Sequence, residues 1–144
     1  MQVSDYIARN GTSTPTIGST QTIGALARYL KQERIGAAVV SDDGQTIAGM
    51  ISERDIAYSF AERRGELHLL PISALMTRRV VTCNPEDSLV KVLQLMKEHH
   101  IRHVPVVNGD RLVGLLTLRD LVQYRLDMIE KRTQLAMLLH EDVD

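Results

Sequence analysis

The chain has 144 residues, 44% apolar and 24% charged, which is the usage of an ordinary globular protein and excludes disordered and fibrous classes. Lys and Arg number 17 against 18 Asp and Glu, so no general field draws the chain onto nucleic acid or an anionic membrane. Aromatic residues make up 3% and Trp is absent, so stacking platforms for single strands are missing too.

The single cysteine, Cys83, excludes an internal disulfide and fits a reducing compartment. Lying beside Thr82 in an apolar run, it reads as a small packing residue. The start, Met1-Gln2-Val3-Ser4-Asp5, lacks the basic flank and apolar core of a signal peptide, and no apolar stretch approaches the length of a membrane span. The expected location is the cytoplasm.

In chain order, residues 3–7 form a short lead-in turn and residues 14–17 a strand. Ile23, Leu26, Ala27 and Leu30 then fall at the spacing of an amphipathic helix. A partly β-branched strand over 37–41 follows, then a turn at Asp42-Asp43-Gly44, then a second strand running into Gly49-Met50-Ile51-Ser52-Glu53-Arg54-Asp55-Ile56. The polar run Glu62-Arg63-Arg64-Gly65-Glu66 joins this half to the next.

The second half repeats the first. A lead-in at 72–76 and a strand at 80–83 precede Leu89, Val92, Leu93 and Met96 at helical spacing. A strand at 103–107, an Asn108-Gly109 hairpin signal and Gly114-Leu115-Leu116-Thr117-Leu118-Arg119-Asp120-Leu121 complete it. Thr16, Lys31, Ile35, Val40, Gly44, Gly49, Arg54 and Asp55 have identical counterparts at Thr82, Lys97, Ile101, Val106, Gly109, Gly114, Arg119 and Asp120. Pro105 within a strand implies an edge, or one side left unpaired. Each unit is β-α-β-β-α, too small to bury a comfortable core alone, so the two sheets are expected to pack face to face. The expected division is a first unit at 1–66, a second at 67–125 and a helical extension at 126–144. Along the extension Leu121, Met128 and Leu135 recur every seven residues, as do Val122, Ile129 and Ala136, beside Arg125 and Arg132. This stripe points to a homodimer contact.

The repeated Ser/Thr-x-Arg-Asp places a hydroxyl at a helix start, where unpartnered amides and the dipole attract anions. Arg54 and Arg119 add charge, and Asp55 and Asp120 offer acceptors for a pair of neighbouring hydroxyls. A ribose phosphate carries both groups. The same residues also spell a capping box, in which the acid bonds back to its own turn, but a capping box gives no reason for an arginine in the first turn, where the dipole disfavours it.

Two such units in register, covering about residues 3–125, resemble a tandem pair of CBS domains, the module named after cystathionine β-synthase. The resemblance implies an α+β fold of two units packed by their sheets about a pseudo-twofold axis, followed here by an extended C-terminal helix. It also implies two clefts that bind adenosine compounds: AMP, ADP, ATP, NAD or S-adenosylmethionine. Carried over by position, Asp55 and Asp120 hold ribose hydroxyls, with Ser52 and Thr117 near the phosphate. Adenine lies against Thr14, Pro15, Ile35, Gly36 and Ala37 in one cleft, and against Thr77, Val80, Val81 and Ile101 in the other. In nucleotide-sensing relatives a basic pair reaches the phosphates; Arg102 and His103 occupy similar positions, opposite Gly36 and Ala37 in the first half. The Asp55 cleft is therefore expected to collect Arg54, Arg102 and His103, and the Asp120 cleft mainly Arg119, with tighter phosphate binding at Asp55.

This reading expects an energy-sensing regulatory module, homodimeric, with no required cofactor and an unidentified protein partner. The alternative is a structural dimerisation or docking module with vestigial clefts. A metal site is not expected: His99, His100 and His103 lie close in sequence, but the adjacent pair diverges at a helix end and no further ligand completes a set. Nor is an enzyme, since neither aspartate has a matching nucleophile or acid and no Walker loop or nucleophile elbow is present.

Overall fold

The computed structural model describes residues 1–63 and 65–141. Arg64 of the polar run and residues 142–144 of the extension lie outside the described residues. The elements are α1 (Val3–Asn10), β1 (Thr16–Ile17), α2 (Ile23–Glu33), β2 (Ala37–Val40), β3 (Gly49–Ser52), α3 (Glu53–Glu62), 3-10 turns at Leu67–Leu69 and Ile72–Ala74, α4 (Leu89–His99), β4 (His103–Asn108), β5 (Arg111–Thr117) and α5 (Leu118–Glu141). The first lead-in is thus a two-turn helix and the second a 3-10 turn.

Helices α2 and α4 begin alike because Thr22 and Ser88 accept from the amides of Ala25 and Lys91, both at 3.1 Å. Ile23, Leu26 and Leu30 are buried on one, Leu89, Val92 and Met96 on the other. Ala27 and Leu93, expected on these faces, are exposed, so each helix presents a narrower stripe than the spacing implied. Cys83 is buried among the second set, where burial pushes its thiol up to about 12; it packs and does not react.

In the first sheet β1 runs parallel to β2, and β3 antiparallel to β2 with Ala37 opposite Ser52. The second sheet pairs β4 with β5, His103 opposite Thr117. Its opening strand is reduced to one bridge, Cys83 to Val106, and the cause is Pro105. The amide of Val39 donates to the Pro15 carbonyl at 2.9 Å. Pro105, the residue matching Val39, has no N–H to give. What survives are the bonds flanking it, Cys83 N to Pro105 O at 3.0 Å and Val107 N to Cys83 O at 2.9 Å. The β4–β5 turn also falls one residue later than the Asn-Gly signal implied: Asn108 pairs with Arg111, leaving Gly109 (φ 64°) and Asp110 in the loop. In the first unit a longer loop, 41–48, is organised by Asp43, which accepts from the amides of Gln45 and Thr46 and the hydroxyl of Thr46 at 2.7–2.8 Å. These bonds hold its carboxyl below the usual range.

The two units exchange their lead-ins. Val3 and Tyr6 of α1 are buried with Leu89, Val92, Val104 and Leu116 of the second unit, fixed by bonds from Val3 N to Asp87 O and Leu89 N to Met1 O. Leu67 and Ile72 are buried with Ile23, Leu26 and Ile51 of the first, fixed by Ile23 N to Leu70 O and Ile72 N to Gln21 O, both at 2.8 Å. Between the sheets Val39, Leu112 and Leu115 form a third core, the face-to-face packing that units of this size require.

The repeated glycines mark where each sheet meets the other unit's lead-in. A Cβ on Gly49 would lie 2.8 Å from Thr77 O and 2.9 Å from Met76 Sδ, and one on Gly114 within 3.1–3.2 Å of Thr12 and Ile7. Beside Gly49, Met50 and Thr77 exchange backbone bonds at 2.9 and 2.8 Å. Beside Gly114 the Thr12 hydroxyl takes the part of a backbone amide, accepting from Leu115 N at 3.2 Å and donating to Leu115 O at 3.3 Å.

Leu121 is buried in the second unit, and Tyr124 and Met128 partly so, but beyond them Ile129, Leu135, Met137, Leu138 and Leu139 are exposed. Among the described residues no helix is long and apolar enough to cross a membrane.

Replacing Gly49 by Ala forces a methyl group against the Thr77 backbone, which cannot turn aside as a side chain can. Gly49→Ala is expected to lower stability by about 1–3 kcal/mol, read as a lower urea midpoint at unchanged m-value. Gly114→Ala meets mainly side-chain atoms and should cost less.

Candidate functional site

Both Ser/Thr-x-Arg-Asp turns are capping boxes. Asp55 Oδ2 accepts from Ser52 N at 2.8 Å and Ser52 Oγ at 3.1 Å, while Asp55 N donates to Ser52 Oγ at 3.2 Å. Asp120 Oδ2 accepts from Thr117 N at 3.1 Å, and Asp120 N donates to Thr117 Oγ1 at 3.0 Å. The first helical amides are also taken, Glu53 N by Gly36 O at 2.9 Å and Leu118 N by Arg102 O at 2.8 Å. Each turn therefore offers less free backbone than the sequence implied. One carboxylate oxygen is committed to the cap, and Oδ1 has no hydrogen bond among the described residues. The box and a ligand-facing role use different oxygens and do not exclude each other.

Each aspartate lines a cavity. That of Asp55, about 260 Å³, is walled by Ser52, Glu53 and Arg54 from α3, by His100, Ile101, Arg102 and His103 where α4 passes into β4, and by Thr77, Arg79, Val80 and Val81 of the second unit's opening stretch. That of Asp120, about 670 Å³, is walled by Thr117 and Arg119, by Arg34 and Ile35 where α2 passes into β2, and by Tyr6, Asn10, Thr12, Ser13 and Pro15. Gly36, Ala37 and His103 line both. Each helix start thus faces the other unit's opening segment, the arrangement that the exchanged lead-ins impose.

Of the residues singled out from sequence, the Asp55 cavity gathers Ser52, Arg54, Asp55, Thr77, Val80, Val81, Ile101 and Arg102, and the Asp120 cavity gathers Pro15, Ile35, Thr117, Arg119 and Asp120. Thr14 lines neither. His103, expected at the Asp55 side, faces both. The sequence reading overlooked Glu53, Arg79 and His100 on one side and Tyr6, Asn10 and Arg34 on the other. Arg34 and His100 were findable: they are matching residues of the repeat, and both end their helices with positive φ, 56° and 54°. Counting them narrows the expected asymmetry: the Asp55 side still carries more basic side chains, three arginines and His100 against the two arginines of the Asp120 side, with His103 common to both, but it also carries two carboxylates against one. The clefts differ in room as well.

Arg54 is held across the seam, its Nη1 donating to His100 O at 3.3 Å. Gly36 makes space at the centre, for a Cβ there would lie 3.3 Å from Glu53 Oε1 and 3.6 Å from His103 Cε1. Burial lowers the His103 pKa below the usual imidazole value, partly opposed by Glu53 and Asp120, so the ring is neutral at neutral pH. Burial, with Asp120 and Asp127 adding to it, raises the Tyr6 phenol, which stays protonated and available as a donor. Among the described residues no group of three or more His, Cys, Asp or Glu is placed to hold a metal ion.

A family model for the CBS domain matches residues 3–62 and again 72–127. The CBS domain-containing protein YhcV of Bacillus subtilis is 33% identical over 132 residues, 92% of this chain and 93% of that protein. Among solved structures, a CBS-domain containing protein from Agrobacterium tumefaciens superposes with a TM-score of 0.81 at 31% identity, covering 86% of this chain and 92% of its own. A CBS domain protein from Pyrobaculum aerophilum, solved in complex with AMP, gives 0.76 at 31% identity over 92% and 99%.

The unfolded chain binds a proton at His103 more readily than the folded one does, so folding stability from this residue is complete above about pH 6.5 and is lost as pH falls toward the depressed folded value. The urea midpoint should therefore fall with acidification below pH 6.5, and His103→Gln should make that fall shallower. Equal slopes for the two proteins would show that desolvation at this half-buried position does not hold the ring below its usual pKa.

Proposed function

The chain belongs to the CBS-domain family, and from that premise we propose that it is a regulatory module which binds adenosine nucleotides in its two clefts and passes their occupancy to a partner protein. The observation that carries this reading is the repeated pairing, in an open cleft, of arginines from both units with an aspartate whose second oxygen has no hydrogen bond among the described residues. In this reading Asp55 and Asp120 accept from the ribose hydroxyls through that oxygen, already aligned by the cap. Arg54, Arg79 and Arg102 meet phosphate in one cleft, and Arg34 and Arg119 in the other. Apolar walls, Val80, Val81 and Ile101 or Pro15 and Ile35, flank the adenine. AMP is the ligand of choice, since the similar Pyrobaculum protein was solved with it. The roomier Asp120 cleft suits larger relatives such as ATP, NAD or S-adenosylmethionine. Binding without turnover in a reducing, cytoplasmic setting completes the reading.

The apolar far half of α5 favours a homodimer as the working form, and it is also what supports the second reading, a docking module whose clefts carry no ligand. The dimer is testable alone: Leu135→Glu with Leu138→Glu should shift the sedimentation coefficient from dimer to monomer while leaving the circular dichroism of the two units in place.

For the clefts, AMP at a hundredfold excess over Kd should stabilise the fold by about 2.7 kcal/mol, a rise of several degrees in Tm. Asp55→Asn and Asp120→Asn keep a carbonyl oxygen for the cap but lose the charged acceptor. Each should weaken its own cleft about tenfold to a hundredfold in calorimetric titration. If AMP, ATP, NAD and S-adenosylmethionine all leave Tm unmoved, the docking reading takes over.

A further inference from the structure

The repeat is broken where the two clefts meet. The pseudo-twofold axis relates Gly36 and Ala37 to Arg102 and His103, so the side where a symmetric molecule would carry a second bulky pair is nearly bare. The His103 imidazole fills that space and lines both cavities, while His100, at the end of α4, lines the Asp55 cavity. Charged groups approach the His103 ring from each direction. Glu53 at the start of α3 stands in the Asp55 cleft, Asp120 of α5 stands in the other, and Arg102 precedes it on its own chain. The junction into β2 contributes Gly36 and Ala37 beside the ring and Arg34 on the Asp120 side, where Arg119 and Tyr6 also stand; Arg54, Asp55 and Arg79 stand on the Asp55 side, and the residue opposite on β5 is Thr117, uncharged.

A neutral imidazole has one N–H donor and one bare nitrogen, whereas an imidazolium has two donors, flanking Cε1 and diverging from it; here Cε1 is the ring atom nearest Gly36. Resting neutral in its half-buried setting, His103 can donate into one cleft while presenting a lone pair to the other. Two anionic ligands can both be served only by the doubly protonated ring. We propose that His103 couples the two clefts through a proton, so that filling the second with a nucleotide phosphate requires the ring to take one up. The proton comes from solvent and is returned when either ligand leaves; no covalent bond is made or broken. The module then reads nucleotide and pH together, and the doubly filled state is favoured as pH falls.

This inference rests on the proposed nucleotide reading, and the experiment separates the two. AMP is titrated calorimetrically into the full chain and into His103→Gln, at pH values from 6 to 8 and in buffers of different ionisation enthalpy. The ligand's own phosphate titrates near this range, but it does so identically with both proteins, so the difference between them reports the histidine. The expected result is two binding steps, the second taking up more protons than the first and weakening toward tenfold per pH unit at the alkaline end. In His103→Gln both steps persist, and the excess uptake and the steep slope vanish. Two steps with the same proton uptake in both proteins, or a single step throughout, overturn the coupling and leave nucleotide binding standing. No heat and no change in Tm with either protein removes the binding reading itself.

Discussion

Each sheet completes its hydrogen bonding on the other unit's lead-in, and the rest of the molecule follows from that crossing. At one seam Met50 and Thr77 exchange two backbone bonds; at the other, Thr12 supplies both bonds to Leu115 from a single hydroxyl. The approach is so close that no side chain fits at Gly49 without a shift. Neither unit holds a full core of its own, since Val3 and Tyr6 complete the second and Leu67 and Ile72 the first. The same crossing carries each opening segment over the neighbour's helix start and so walls each cleft from both units.

The paired aspartates show how a structural device and a binding device share one side chain. A carboxylate used only for capping could face solvent in any convenient rotamer. Here the cap fixes one oxygen at 2.8 Å from Ser52 N, or 3.1 Å from Thr117 N, which removes rotamer freedom before a ligand arrives. Ordering is a cost of binding, and in this design folding has already met it. The arginine between cap and acid, unfavourable for the helix alone, is steadied on the Asp55 side by the carbonyl of His100 across the seam.

The sequence was legible where it repeats. Matching caps at Thr22 and Ser88, the helical spacing of the buried residues and the two Ser/Thr-x-Arg-Asp turns led to the units and to the aspartates, arginines and apolar wall residues that line the two cavities. It was silent where partners come from far along the chain. Nothing local in Tyr6 or Asn10 says that α1 crosses to the second unit, so the residues it brings to the Asp120 cavity were invisible. Thr14 was misplaced for a related reason: the opening strand begins only at Thr16, and its neighbour Pro15 is the residue that reaches the cleft. The charge asymmetry was overdrawn because Arg34 looks like an ordinary helix-end residue until its left-handed backbone turns it to the rim. Pro105 was legible as a gap in pairing, but not as the cause that reduces the expected strand at 80–83 to a single bridge.

Helix α5 begins at one cleft and ends in open solvent. Its 24 residues at the usual rise make a rod about 36 Å long, packed on the second unit through Leu121, Tyr124 and Met128 and exposed from Ile129 to His140. Asp120 sits in its first turn, so the group that would meet a sugar and the apolar tip belong to one stiff body. Lever geometry magnifies what happens at the pivot: an inclination of about 5° at the foot sweeps the far end through about 3 Å, enough to make or break a packed contact there.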